Sequence, residues 1–261
     1  MILNLNAIDR QLTADGLEFL IYDRTDNPEP KPNWVIAEDV RYYGHFYNGL
    51  KDFLATNHNI FIFNAGDAYS NQHAEFTRKV EQAMSQDEDI WLMGPRMVND
   101  GGDGEVTLIA MSKKYDEEYG LTIHFNGIWT ALRRELAEEL FNYMTWLIAQ
   151  DSLNFKTMVT GHCLDTVYAM WTLYNNKKAY RDWNIQMITG TETSYPTHAA
   201  WSDCETITRR FIDYANVKGY NRDSIVKIYQ AINDKMYVKI TGGYPILKAY
   251  PNLKDEKDLD Y

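Results

Sequence analysis

The sequence Ile60-Phe61-Ile62-Phe63-Asn64-Ala65-Gly66-Asp67 joins four apolar residues to a small polar turn that contains glycine. A short continuous apolar run that ends in such a turn is typical of a strand buried on both faces. In open α/β sheets, ligands bind outside the carboxyl ends of the strands. We therefore predict that Asn64 and Asp67 lie at a functional site. An ordinary polar turn after a buried strand is the alternative interpretation.

Strands and helices are predicted to alternate on both sides of this stretch. The apolar patterns predict strands at 17–22, 33–37 and 89–95 and helices at 43–56, 71–84, 133–150 and 164–174. Two more helices are predicted at 205–217 and 223–233. Alternation of this kind is the signature of an α/β fold with a mostly parallel sheet flanked by helices.

Composition and charge restrict the class of protein. The chain has 261 residues, of which 45% are hydrophobic and 24% are charged, as in an ordinary globular protein. A net charge of −11 argues against nucleic-acid or anionic-membrane binding by the whole surface. No run of the sequence is long and apolar enough to span a membrane, and we expect no signal peptide. Cys163 and Cys204 lack metal-site spacing, so we predict a reduced, cytoplasmic setting.

Several short motifs occur in a fixed order over roughly two-thirds of the chain, from Phe19 to Tyr195. They are the aspartate-containing strand end at 20–26, the segments 41–50 and 61–67, the Gly-Pro-Arg strand end at 93–99, the Asn-Gly and Arg-Arg pairs within 126–134, and the helix start at 161–165. Together they resemble the nucleotide-sugar glycosyltransferases of the GT-A fold, especially family 2. The resemblance implies a Rossmann-like GT-A domain over residues 1–250, followed by a charged tail at 251–261. The donor half would cover about 1–120 and the acceptor half about 121–250.

The resemblance implies transfer of a hexosyl or pentosyl group from a nucleotide diphosphate sugar to a hydroxyl group. UDP is the expected nucleotide, and inversion at the anomeric carbon is the expected outcome. A divalent cation, Mn²⁺ or Mg²⁺, is the implied cofactor, because a hard cation neutralises the charge that grows on the leaving diphosphate. The acceptor hydroxyl also needs a general base, usually a carboxylate.

The matching positions give each role its residues. The implied donor-binding residues are Asp23, Asp26, Asn48, Asn64, Asp67 and Arg96. The implied acceptor-binding residues are Asn126, Gly127, Trp129, Arg133 and Arg134. Asp67 and His198 are the implied metal ligands, and Asp165 is the implied general base.

The chain departs from the family at two motifs. The D-x-D positions fall on Asn64 and Gly66, with Asp67 one place later. The E-D pair falls on His162 and Cys163, which leaves Asp165 as the remaining carboxylate. These departures favour an alternative function, a catalytically degenerate relative that binds a nucleotide or a glycan.

Structural roles stay open for several of these residues. Trp129 would serve equally well in the core, and Arg133 and Arg134 would equally solvate the start of a helix. An Asp at position 165 would also stabilise a helix N-terminus through its dipole. His198 would equally be an ordinary exposed loop histidine.

The acceptor has three interpretations. The compact size and the Tyr- and Asn-rich sequence are similar to those of bacteriophage enzymes that glycosylate hydroxymethylated cytosine in DNA, or a sugar already attached to it. Such an acceptor would require a local basic face, for which Arg133, Arg134, Arg209, Arg210 and Lys218 are the available residues. A free or linked acceptor sugar and a cell-surface glycan are the other two. No membrane partner is expected, and a phage-encoded chain would act in the host cytoplasm.

Overall fold

The computed structural model describes residues 5–23, 28, 30–36, 42–64, 68–99, 129–150, 164–189 and 210–226. The elements, in chain order, are α1 (Leu5–Ala14), β1 (Ile21–Asp23), β2 (Trp34–Ile36), α2 (Tyr42–Leu54), β3 (Ile60–Asn64), β4 (Ala68–Tyr69), α3 (His73–Gln86), β5 (Ile90–Asn99), β6 (Trp129–Arg133), α4 (Arg134–Ala149), α5 (Leu164–Tyr174) and β7 (Lys178–Thr189). Residues 210–217 and 222–226 form two further helices, α6 and α7.

Five of the strands form one mixed sheet in the order β3-β6-β5-β7-β4. Strand β6 runs antiparallel to both β3 and β5, β4 runs antiparallel to β7, and β5 and β7 are parallel. Strands β1 and β2 form a separate parallel pair. Consequently β3, β5 and β7 all point the same way, and their carboxyl ends lie at one edge of the sheet.

The predicted α/β class is confirmed, because helices pack against sheets in the described part of the chain. The prediction of a mostly parallel sheet was wrong for the described strands, since three of the four pairings in the five-stranded sheet are antiparallel. The physical reason is the insertion of β6 between β3 and β5. A connection as long as the one from 99 to 129 permits either direction.

The five-stranded sheet is strongly curled. Only three residues separate Asn64, at the end of β3, from Ala68, at the start of β4, although these strands lie at opposite ends of the sheet order. In a flat sheet, strands four places apart would be about 19 Å from each other. Four extended residues span at most about 14 Å. The break in β5–β7 register after Pro95 is the kind of irregularity that bends strands, and the curl brings the end of β7 near the end of β3.

The two faces of the sheet carry separate apolar clusters. On one face, α2, α4, α5 and α6 cover a cluster that includes Phe61, Leu92 and Leu132. On the other face, α3 covers a cluster that includes Met93 and Trp129. Neighbouring residues of a strand thus enter different clusters, as the alternation of side chains in a strand requires. The result is a layered core that holds the end of β3 from both sides.

The N-terminal helix α1 is amphipathic, and none of its residues is buried. The sequence interpretation did not include this helix. The charged tail at 251–261 and the boundary between the two predicted halves near residue 120 lie outside the described residues. None of the described helices combines the length and the apolar character that crossing a bilayer requires.

Candidate functional site

The carboxyl end of β3 carries a buried amide oxygen. Asn64 is the last residue of this strand, and its Oδ1 atom is buried and accepts no hydrogen bond from the described residues. An unsatisfied buried acceptor costs about 1–3 kcal/mol, so such a group calls for a specific explanation. A donor or a cation supplied by a ligand would satisfy it.

A buried histidine–tryptophan contact lies beside Asn64. Trp129 is the partner of Asn64 in the β3–β6 register, so both side chains lie on the same face of the sheet. The Trp129 ring is 4.7 Å from the rings of both His73 and Phe76, and only 2% of Trp129 is exposed. This packing places Trp129 in the core, the structural alternative that the sequence left open.

His73 is a titratable residue of this site that the sequence interpretation missed. It is the first residue of α3 and is 7% exposed. Burial lowers its pKa, against an opposing effect from the negative charge of Asp15, so the imidazole is neutral at pH 7. The available signal was a histidine near the start of the predicted helix 71–84.

Helix α2 begins at the same end of the sheet. The ring of Phe46 lies 5.0 Å from that of Phe63, the residue before Asn64. The ring of His45 lies 6.4 Å from that of Tyr22, the residue before Asp23. The first two turns of α2 therefore contact the carboxyl ends of β1, where Asp23 is buried, and of β3.

Helix α5 also begins near this end. Tyr168 in its second turn stacks on Phe46 with a centroid distance of 5.9 Å. Asp165 lies three positions earlier, in the first turn of the helix. The stacking of Tyr168 on Phe46 thus places the start of α5, including the backbone of Asp165, beside the start of α2 at this end of the sheet.

Arg133 and Arg134 lie at the other end of β6 from Trp129. Arg133 donates hydrogen bonds to the carbonyl oxygens of Met84, Asp87 and Ile90. Arg134 donates hydrogen bonds to the carbonyl oxygens of Leu54, Thr56 and His58. The structure therefore does not bring Trp129, Arg133 and Arg134 together as an acceptor site, and it gives both guanidinium groups structural roles.

The remaining predicted residues fall into two groups. Asn48 lies on α2 and is partly buried, and Arg96 lies on β5 opposite Gln186. The residues that lie outside the described part of the chain are Asp26, Asp67, Asn126, Gly127 and His198. Within the described ranges, no three His, Cys, Asp or Glu side chains meet as a metal site. Both predicted metal ligands lie outside those ranges.

No protein-family model matches the chain, and no curated protein matches its sequence. The likeness to GT-A glycosyltransferases therefore rests on the order of the sequence motifs alone.

Proposed function

We propose that this protein is a GT-A-type glycosyltransferase that moves a sugar from a nucleotide diphosphate sugar, with UDP as the nucleotide, to a hydroxyl group. One observation carries the proposal: the end of β3, with an Asn64 oxygen that has no hydrogen-bond partner among the described residues, and the first turn of α5, which contains Asp165, lie at the same end of the sheet, on its two opposite faces. In the order of the motifs, the end of β3 corresponds to the donor-binding segment of the GT-A family, and the first turn of α5 corresponds to the segment that carries the general base.

The reaction requires one acid–base group and one leaving group. The acceptor oxygen attacks the anomeric carbon while its proton passes to the Asp165 carboxylate. The bond between that carbon and the diphosphate oxygen breaks, and the nucleoside diphosphate leaves with the electron pair. Displacement from the opposite side inverts the anomeric carbon. Asp23, buried at the end of β1, would bind the nucleoside.

The residues present fit a divalent cation in part. Asn64 offers a neutral amide oxygen that has no other described partner, and Asp67 would add a carboxylate three residues later. Oxygen ligands of this type suit Mg²⁺ and Mn²⁺. When bound, the cation would neutralise charge on the diphosphate.

Titration calorimetry with UDP, with and without Mn²⁺, tests the donor site. We expect metal-dependent binding that weakens at least about tenfold in Asn64→Ala and Asp67→Ala, which corresponds to about 1.4 kcal/mol. Asn142→Ala is the matched control, because Asn142 is exposed on α4. Absence of UDP binding, or binding that neither variant changes, would contradict the proposed donor site.

A transfer assay tests the general base. We expect Asp165→Asn to bind UDP normally and to release little UDP from the UDP-sugar in the presence of acceptor. Asp223→Asn is the control, because Asp223 is an exposed aspartate in the first turn of α7. The acceptor panel contains free sugars, a cell-surface glycan, and DNA duplexes with hydroxymethylcytosine, unmodified or already glycosylated. Equal turnover by the two variants would exclude Asp165 as the base.

A second candidate function is nucleotide or glycan binding without catalysis. It is favoured by the neutral residue at position 64 and by the hydrogen bonds that Arg133 and Arg134 donate to main-chain carbonyl groups, which give both side chains structural roles. UDP binding without release of UDP from any UDP-sugar, with or without acceptors, would select this function over transfer.

A further inference from the structure

The side chain of His73 is enclosed at the functional end of the sheet. It begins α3, is almost fully buried, and packs its ring 4.7 Å from that of Trp129 at an interplanar angle of 47°. Phe76, one turn later on α3, packs on the same indole at the same distance. The indole of Trp129 is therefore held on the α3 side by one titratable ring and one apolar ring.

Trp129 connects this packing to the proposed donor site. It lies directly opposite Asn64 in the antiparallel register, and directly opposed residues have Cβ atoms about 4.5–5.5 Å apart. A displacement of the indole would therefore reach the Asn64 amide without any intervening residue. The Asn64 oxygen has no described hydrogen bond that would hold it against such a displacement.

We propose that His73 is a positioning residue, which in its neutral form holds Trp129 opposite Asn64 and, once protonated, releases that packing and weakens donor binding. The inference rests on the proposed function, because it concerns the same donor site. A charged imidazole in this apolar contact would lose its hydration, so acid favours a rearranged indole.

The charges around His73 determine how readily it gains a proton. The carboxylate of Asp15, just after α1, favours protonation, whereas burial opposes it more strongly and lowers the pKa. On α3 itself, Glu75 forms an ion pair with Lys79 at 3.3 Å. Lys79 also binds Asp182 of β7 at 3.1 Å, so these three charges are engaged with one another. The two strands next to Trp129 add no further charge, because β3 and the first four residues of β6 contain no charged side chain.

Two measurements on the intact protein test the proposal. In the first, the indole ¹H–¹⁵N resonance of Trp129, assigned with Trp129→Phe, is followed from about pH 8 to pH 5. We expect it to move with a midpoint below the ordinary histidine value of about 6.5, and to stay still in His73→Phe and His73→Gln. An indole resonance that does not move, or that moves equally in both variants, overturns the proposal.

In the second measurement, the affinity for UDP with Mn²⁺ is compared at about pH 7.5 and pH 5.5 in the wild type and both His73 variants. UDP itself gains a proton in this pH range, and this protonation contributes equally to the change in affinity of all three proteins. We expect the wild type to lose at least about threefold more affinity than either variant. Equal losses overturn the proposal.

The two measurements separate the two hypotheses. Absence of UDP binding by the wild type at every pH overturns the proposed function, and with it the effect on the donor. The indole titration then still decides whether His73 controls the packing of Trp129. UDP binding with a normal metal dependence, together with equal pH profiles in all three proteins, leaves the proposed function intact and overturns the role of His73.

Discussion

Arg134 Nη2 donates a hydrogen bond of 2.9 Å to the carbonyl oxygen of Leu54, the last residue of α2. Its Nη1 donates to the carbonyl oxygens of Thr56 and His58 at 3.0 and 2.8 Å. The last carbonyl groups of a helix have no partner within the helix, so one guanidinium closes the end of α2 and ties it to the start of α4.

Arg134→Ala should therefore lower the free energy of unfolding by about 2–3 kcal/mol, since it removes charge-assisted bonds to partly buried carbonyls. Arg78→Ala is the control: Arg78 is exposed and donates one bond of 3.3 Å within α3, so we expect a change below about 0.5 kcal/mol. Urea unfolding measures both. If Arg134→Ala kept its stability and lost ligand binding, the result would instead support a role of Arg134 in acceptor binding.

The ion pair between Lys79 and Asp182 should contribute more than an exposed pair. Asp182 is 5% exposed, and its Oδ2 lies 3.1 Å from Lys79 Nζ. Lys79→Met leaves this carboxylate buried without its cation, and we expect a loss of about 2–3 kcal/mol. Lys178→Met breaks the more exposed 2.9 Å pair with Asp87, for which we expect at most about 1 kcal/mol. Equal losses in the two variants would contradict the burial argument.

Glu139 should make the protein less stable as the pH rises. Burial raises the pKa of its carboxyl group above the ordinary 4.5, although Tyr220 donates a hydrogen bond of 3.2 Å to it. The folded state then holds this proton more tightly than the unfolded state, so the stabilising effect is complete below about pH 4.5 and is lost as the pH rises through the folded pKa.

We therefore expect Glu139→Gln to be more stable than the wild type at about pH 7 and equal to it at about pH 4, where the glutamate is protonated. Glu81→Gln, at an exposed position on α3, should show no such crossover. Thermal unfolding at both pH values measures the difference. A glutamine variant that is less stable at the higher pH would show that the carboxylate is favourable where it lies.

Trp129→Ala should destabilise the fold by about 3–5 kcal/mol, because it empties a buried site that packs against two aromatic rings of α3. Trp129→Phe keeps a ring and should lose less. Tyr180→Ala is the comparison for an exposed aromatic residue, with 48% of Tyr180 exposed, and should lose at most about 1 kcal/mol. Unfolding in urea distinguishes these cases. A stable alanine variant with impaired acceptor binding would instead support the acceptor-binding role that the family resemblance implies.

Local patterns in the sequence were sufficient for most of the helices and for the buried strand before Asn64. The predicted helices at 43–56, 71–84, 133–150 and 164–174 correspond to α2, α3, α4 and α5. Amphipathic spacing and apolar runs are properties of residues close together in the sequence, so they can be recognised without knowledge of the fold. The same reasoning placed Asn64 at a strand end.

The tertiary structure alone decided the direction of β6, the curl of the sheet and the partners of the polar side chains. The carbonyl groups that bind Arg134 lie 76 to 80 residues earlier in the chain, and the pairing of Asn64 with Trp129 also joins segments that are far apart in the chain. No local pattern encodes such pairings, because they depend on which surfaces the packed layers bring together. For that reason the contact of His73, a histidine at the start of an ordinary helix, with Trp129 in the candidate site could not be predicted from the sequence.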